Sequence, residues 1–166
     1  GAVANNEPIY VHDNEFYPST TRFIVHPTAG PNVSKFHLQG NKFLGSPVRY
    51  VDNTSTGKAI LLSVDVLDFD LHFGTGSALG AGSNVSVTFD WSARHIPACF
   101  ASGHKSLAYS AYGHNPGNAE MTGDFSFTPT GFTATTLTGS LARAAGGAGN
   151  FLGNVSLKVK YLPLIT

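Results

Sequence analysis

Apolar and polar residues alternate along much of this chain with a period of two, the spacing that turns successive side chains to opposite faces of a β-strand. The run Phe151–Tyr161 shows it best: Phe151, Val155, Leu157, Val159 and Tyr161 fall on one face, with Gly153 among them. Asn154, Ser156, Lys158 and Lys160 fall on the other. Val85, Val87 and Phe89 alternate with Ser86 and Thr88, and Phe125 and Phe127 with Asp124, Ser126 and Thr128. Pro8–His12, Thr21–His26, Ser34–Gln39, Pro47–Asp52, Ala59–Phe73 and Phe132–Leu141 are further strand candidates. Within Ala59–Phe73 the phase changes. Ile60, Leu62, Val64 and Val66 share one parity and Leu67, Phe69, Leu71 and Phe73 the other. A one-residue slip exchanges the two faces of a strand, so a bulge or corner is expected near Val66-Leu67.

Turn-forming clusters separate these runs at Pro27–Pro31, Asp52–Gly57, Gly74–Ser83, His114–Gly117 and Ala144–Gly149. About nine short strands divided by such turns predict an all-β fold. The expected form is one antiparallel β-sandwich, immunoglobulin-like or jelly-roll-like, over 13–166, with 1–12 as an N-terminal extension. No internal repeat or linker is read in the sequence. Ala93–Tyr112 is the least regular stretch and predicts a long connection or a short helical turn.

Composition supports this picture. Charged residues make up only 12 %, and Gly, Ser, Thr and Asn supply the remaining polarity, a mix suited to strands and turns. Such a weakly charged surface points to an extracellular or cell-surface location. Ten basic residues balance ten acidic ones, so no nucleic-acid partner is expected. No apolar run approaches the roughly 18 residues of a membrane span, so no membrane insertion is expected. The single cysteine, Cys99, rules out an internal disulfide.

Candidate chemistry is sparse. Cys99 and His104, separated by four residues, together with His37 on an earlier strand, have the ligand types of a cupredoxin-like copper site. The axial methionine of such a site should follow closely, but Met121 lies far beyond and Ala108 stands near the expected position. Asp68, Asp70 and His72 alternate on one strand face about 6.8 Å apart and form a second weak metal candidate, short of the oxygens a hard cation needs. The plain reading of both is a small buried cysteine and a solvated strand face, so no cofactor is expected. No Gly-x-Ser-x-Gly, no His-Glu-x-x-His and no close pair of glutamates occurs, so no enzyme activity is expected. Gly74–Gly80 superficially resembles a phosphate loop, but it leads into Val85–Phe89, a strand, where no helix N-terminus would face a phosphate. Asn-x-Ser/Thr sequons stand at Asn32, Asn53, Asn84 and Asn154.

Gly149, Phe151, Gly153, Val155 and Tyr161 resemble the closing strand of chaperone–usher pilins, and Val51–Ser63 resembles the polar turn and strand of pilins that lack a disulfide. The resemblance implies an incomplete sandwich that a neighbouring subunit's N-terminal strand completes, building a fimbrial homopolymer by donor-strand exchange. The polar lead Gly1–Glu7 and the strand Pro8–His12 then form the donor segment, with Val3, Ile9, Tyr10 and Val11 at the subunit interface. The expected function is an extracellular structural subunit of a fibre or pilus, with identical subunits and a host or surface glycan as partners. The alternatives are a cupredoxin-like copper protein and a carbohydrate-binding or virion-surface sandwich.

Overall fold

The alternation becomes strands almost throughout. The computed structural model describes residues 7–17, 22–25, 34–52, 59–115, 118–121, 124–146 and 149–165. In chain order its elements are β1 (Ile9–His12), β2 (Glu15–Phe16), β3 (Arg22–Val25), β4 (Ser34–Gln39), β5 (Lys42–Phe43), β6 (Arg49–Asp52), β7 (Ala59–Ser63), β8 (Leu67–Leu79) and β9 (Asn84–Asp90). The short helix α1 (Ala98–Ala101), β10 (His104–Asn115), β11 (Asn118–Met121), β12 (Phe125–Phe132), β13 (Thr136–Arg143) and β14 (Phe151–Leu162) complete the series. Among the described residues the fold is nearly all β, made of several sheets with no closed barrel. Two compact units emerge: Gly1–Asp68 with His95–Ser106 and Lys160–Thr166, and Phe69–Arg94 with Leu107–Val159.

The second unit carries the antiparallel sandwich. β9, β13 and β12 form an antiparallel sheet in the order β12-β13-β9, and β10 and β14 belong to the sheet ordered β11-β10-β14-β8. Phe125, Phe127, Leu137, Leu141, Val87 and Phe89 from the first sheet are buried, as are Phe151, Val155, Leu157 and Val159 from β14. Gly153 faces the other layer so closely that a Cβ there would stand 2.8 Å from Leu141 and 2.9 Å from Phe125. Gly153 is thus a packing residue. Buried Arg143 is anchored to main chain through Nη1, which donates to the carbonyls of Leu79 (2.8 Å) and Gly149 (2.5 Å).

Three local expectations shift. The turn expected over Gly74–Ser83 shrinks to the residues after Leu79, because β8 continues alongside β14 and Thr75 Oγ1 accepts from the Gly153 N–H at 3.2 Å. The run Phe132–Leu141 is two strands, since Thr133 Oγ1 accepts from the main-chain N–H of Thr136 (3.0 Å) and folds a turn between them. The phase change near Val66-Leu67 is a break over residues 64–66, where β7 ends and β8 begins.

The first unit is built differently. Its strands pair in parallel, β1 on β4, β2 on β5 and β3 on β6, and every partner lies 27 positions further along: Ile9 beside Phe36, Val11 beside Leu38, Phe16 beside Phe43, Ile24 beside Val51. β1, β2 and β3 are one coil, β4, β5 and β6 a second stacked on it, and β7 opens a third by pairing in parallel with β4. A parallel pair needs a long crossover, and each coil's other two strands provide it. The chain thus carries an internal repeat of 27 residues, where none was expected. Phe36, Leu38, Phe43, Tyr50 and Val51 turn inward and are buried, and the rings of Phe43, Tyr50 and Phe100 meet at 5.6–6.0 Å. Helix α1 is fastened to this core by main chain: the Cys99 N–H donates to the Pro47 carbonyl (2.8 Å) and the Leu164 N–H to the Cys99 carbonyl (2.7 Å).

Candidate functional site

The strongest built feature of the first unit lies at the corner after the first strand of each coil. Asp13 and Gly40 occupy equivalent positions and both take left-handed backbone, φ 56° and 70°. A Cβ at Gly40 would collide with the Asp13 side chain of the coil above, so this corner needs glycine. The turn delivers Asn14 and Asn41 into vertical alignment. Asn14 donates its main-chain N–H and its Nδ2 to Asn41 Oδ1, each at 3.2 Å. Asn41 repeats the pattern on the third coil, where its N–H donates to Asp65 Oδ1 at 2.8 Å and its Nδ2 lies 3.1–3.2 Å from both carboxylate oxygens. Asn41 Nδ2 also reaches back to the Val11 carbonyl at 2.9 Å.

The ladder closes at Asp65. This buried carboxylate accepts from the Tyr50 hydroxyl at 2.6 Å, and its own N–H donates to the same hydroxyl oxygen at 2.9 Å. Burial, and then donation to Asp65, drive the Tyr50 phenol far above the usual tyrosine range. At the other end the ladder stops at Asn14, whose Nδ2 donates to the His12 carbonyl at 2.9 Å.

Beside this corner runs β1, the outer strand of the sheet ordered β1-β4-β7 among the described residues. The Asp13 N–H donates to the Gln39 carbonyl (3.1 Å) and the Val11 carbonyl accepts from Asn41, so these groups face the second coil. By strand alternation the N–H and C=O of Tyr10 face away from it. Ile9 is 48 % exposed and Tyr10 65 %, and the Tyr10 ring stacks on His37 with centroids 4.7 Å apart.

The structure places the sequence-derived candidates as follows. Ile9, Tyr10 and Val11 lie in β1, paired with their own chain's β4 rather than projecting as a free extension. Val3 lies outside the described residues, as do Asn32 and Asn53. Cys99 is buried in α1, where burial pushes its thiol up to about 11. His37 is taken up by Tyr10 and by Ser63, 3.3 Å from its Nδ1, and His104 opens β10 as an exposed residue. Asp68, Asp70 and His72 all point outward from β8. His72 Nδ1 stands 3.0 Å from Ser156 Oγ, and Asp70 lies 3.9 Å from Lys158 Nζ. Among the described residues, no three His, Cys, Asp or Glu side chains gather as a metal site.

Depressions accompany these features, one of about 330 Å³ at the corner itself, lined by Asp13, Asn14, Glu15, Gly40 and Lys42. In the second unit a trough of about 400 Å³ is lined by Asp70, His72, Ala108, Ser110, Ser156 and Lys158. In the first unit a cavity of about 570 Å³ is walled by Phe43, Leu44, Val66, Leu67, Pro97 and Phe100, with His95 Nε2 held 2.9 Å from the Gly45 carbonyl at its rim. The asparagine corner was missed in the sequence, although Asn14-Glu15-Phe16 and Asn41-Lys42-Phe43, then Arg22-Phe23-Ile24 and Arg49-Tyr50-Val51, state the repeat twice. Comparison with protein-family models, with curated proteins and with solved structures finds no match to this chain.

Proposed function

We propose that the chain is a non-enzymatic structural subunit of an extracellular fibre or surface appendage, joined to its neighbour by main-chain strand pairing. The observation that carries this reading is the β1 edge: an outer strand with exposed Ile9 and Tyr10 and outward-facing Tyr10 main-chain groups. An edge of this kind invites a further strand, which supplies affinity through its backbone. Because β4 holds β1 within its own chain, the neighbour's strand is laid beside β1 instead of β1 being donated. Ile9, Tyr10 and Val11 form the seam. The low share of charged residues suits a particle-forming surface.

The test is immunogold electron microscopy of the source cells or particles with antibody raised against the chain. Gold along extended surface structures is expected; gold confined to the cell interior would refute the reading. A second reading, a glycan-binding sandwich, is favoured by the trough that sets Tyr109 beside Asp70, His72, Ser156 and Lys158. Saturable binding on a glycan array, lost in His72→Ala, would support it.

A further inference from the structure

We infer that Asn84 is the attachment site of an N-linked oligosaccharide, an assignment that rests on the extracellular placement proposed above. Of the four Asn-x-Ser/Thr sequons, those at Asn84 and Asn154 lie among the described residues. A glycan-bearing asparagine must hold its amide at the surface of the finished fold, with room for a bulky, solvated sugar. Residues two apart on a strand share a face, so each of these sequons presents its amide and its hydroxyl together. What surrounds the two pairs differs.

Asn84 follows a turn in which the Ser83 N–H donates to the Gly80 carbonyl (3.1 Å), and it opens β9. Among the described residues β9 is the outer strand of the sheet ordered β12-β13-β9. Val87 and Phe89 turn inward and are buried, so Asn84, Ser86 and Thr88 take the outward face, where all three are exposed. The register sets Ala142 beside Asn84 and Ser140 beside Ser86, so the cross-strand neighbours of the sequon are small. These neighbours and Thr88 carry no charge. A sugar at Asn84 adds solvation to a surface that has only 12 % charged residues to supply it.

Asn154 is placed otherwise. It is half-buried in β14, which has β10 on one side and β8 on the other. Its Oδ1 lies against Gly74 of β8, 3.1 Å from where a Cβ on that glycine would stand, and Ser156 Oγ is 3.0 Å from His72 Nδ1. A sugar there would have to lift the amide off Gly74 in the middle of a sheet, so Asn154 stays bare. At Asn84 the Nδ2 attacks the anomeric carbon of an oligosaccharide carried on a polyprenyl pyrophosphate. A C–N bond forms as the anomeric C–O bond breaks, the amide proton passes to a base of the transferase, and the lipid pyrophosphate leaves. Transferase and donor belong to the export route.

Trypsin separates the two sites, because cleavage after lysine and arginine leaves Asn84 within residues 59–94 and Asn154 within 144–158. The chain is purified from its source, digested, and its intact glycopeptides are read by mass spectrometry. A hexose-containing addition on 59–94, placed at Asn84 by fragmentation, is expected, with 144–158 unmodified. In parallel the full chain is secreted from cultured eukaryotic cells. Asn84→Gln and Ser86→Ala should each abolish the addition on 59–94, and Ser86→Thr should keep it. A bare 59–94 in the source chain overturns the assignment, as does sugar on 144–158 alone. So does sugar on 59–94 that survives Asn84→Gln, since it is then carried by a hydroxyl. Surface gold labelling with a bare Asn84 defeats the glycan assignment alone, and a glycan at Asn84 with gold confined to the cell interior defeats the fibre reading alone.

Discussion

Replacing Asn41 by alanine isolates the energetic weight of the corner ladder. The main-chain N–H of residue 41 keeps its bond to Asp65, so only the side-chain interactions are lost. The Val11 carbonyl loses a side-chain donor, the Asp65 carboxylate loses one of its donors, and the N–H and Nδ2 of Asn14 lose a shared acceptor. A neutral hydrogen bond contributes about 1 kcal/mol net and one to a charged group about 1.5–3 kcal/mol, so Asn41→Ala should cost about 3 kcal/mol. Asn14→Ala, at the same position of the preceding coil, removes only bonds at an exposed corner, and should cost less than about 1 kcal/mol. Urea unfolding followed by tryptophan fluorescence and circular dichroism measures both through the shift in midpoint at constant slope. Equal costs for the two variants, or an Asn41→Ala cost below about 1 kcal/mol, would show that the repeat positions are equivalent and the ladder adds little.

Three further perturbations follow from the same contacts. Tyr50→Phe strips the closing hydroxyl from Asp65 and leaves a buried carboxylate short of a donor; a loss of about 3 kcal/mol is expected in urea unfolding. Cys99 should not react with a thiol reagent at pH 8 until the chain is unfolded. Its folded pKa of about 11 stands above the ordinary value of 9.0, so the stabilising neutral thiol is fully present below pH 9 and lost as pH rises to about 11. That costs about 2–3 kcal/mol, and Cys99→Ala should flatten the stability curve there, parallel curves being the contrary result. Gly153→Ala forces a Cβ between Leu141 and Phe125 and should destabilise by about 1–3 kcal/mol, visible as a lower thermal midpoint.

The period-two pattern was legible wherever one strand face is buried and the other wet. β14 is the clearest case, its Phe151, Val155, Leu157, Val159 and Tyr161 all buried as their parity demands. Parity alone carries no information on which strand lies beside which, or in what direction, so parallel and antiparallel neighbours look alike in it. The parallel order of the first unit had to be read from a longer period. Strands of two to six residues made that period easy to overlook, since β2 and β5 contribute one inward ring each, Phe16 and Phe43. The asparagine ladder was less legible still, because an isolated asparagine near a glycine reads as an ordinary turn residue. Only the spacing of Asn14 from Asn41, set against that of Phe16 from Phe43, marks it as a stacked corner. The metal candidates failed for a related reason: sequence spacing placed Cys99 and His104 near one another, but α1 turns the thiol into the aromatic core while His104 opens β10 in solvent.

The change from asparagine to aspartate at the third coil brings the corner ladder to its end at Asp65. An asparagine corner both donates and accepts, so it passes the ladder on; an aspartate only accepts, so the ladder must end there and needs donors gathered around it. Asn41 and Tyr50 are those donors, and the Tyr50 hydroxyl also takes the Asp65 N–H that would otherwise face the next coil. Asp65→Asn should therefore do more than remove a charge. It restores an amide able to donate beyond the third coil, while Tyr50 still occupies the main-chain N–H. In the double variant Tyr50→Phe with Asp65→Asn, no buried carboxylate is left short of a donor, so it should recover part of the stability that Tyr50→Phe alone loses. A double-mutant cycle in urea reads this as a coupling of about 1–3 kcal/mol between the two positions. Strict additivity would mean that the carboxylate and the phenol do not act together to close the ladder.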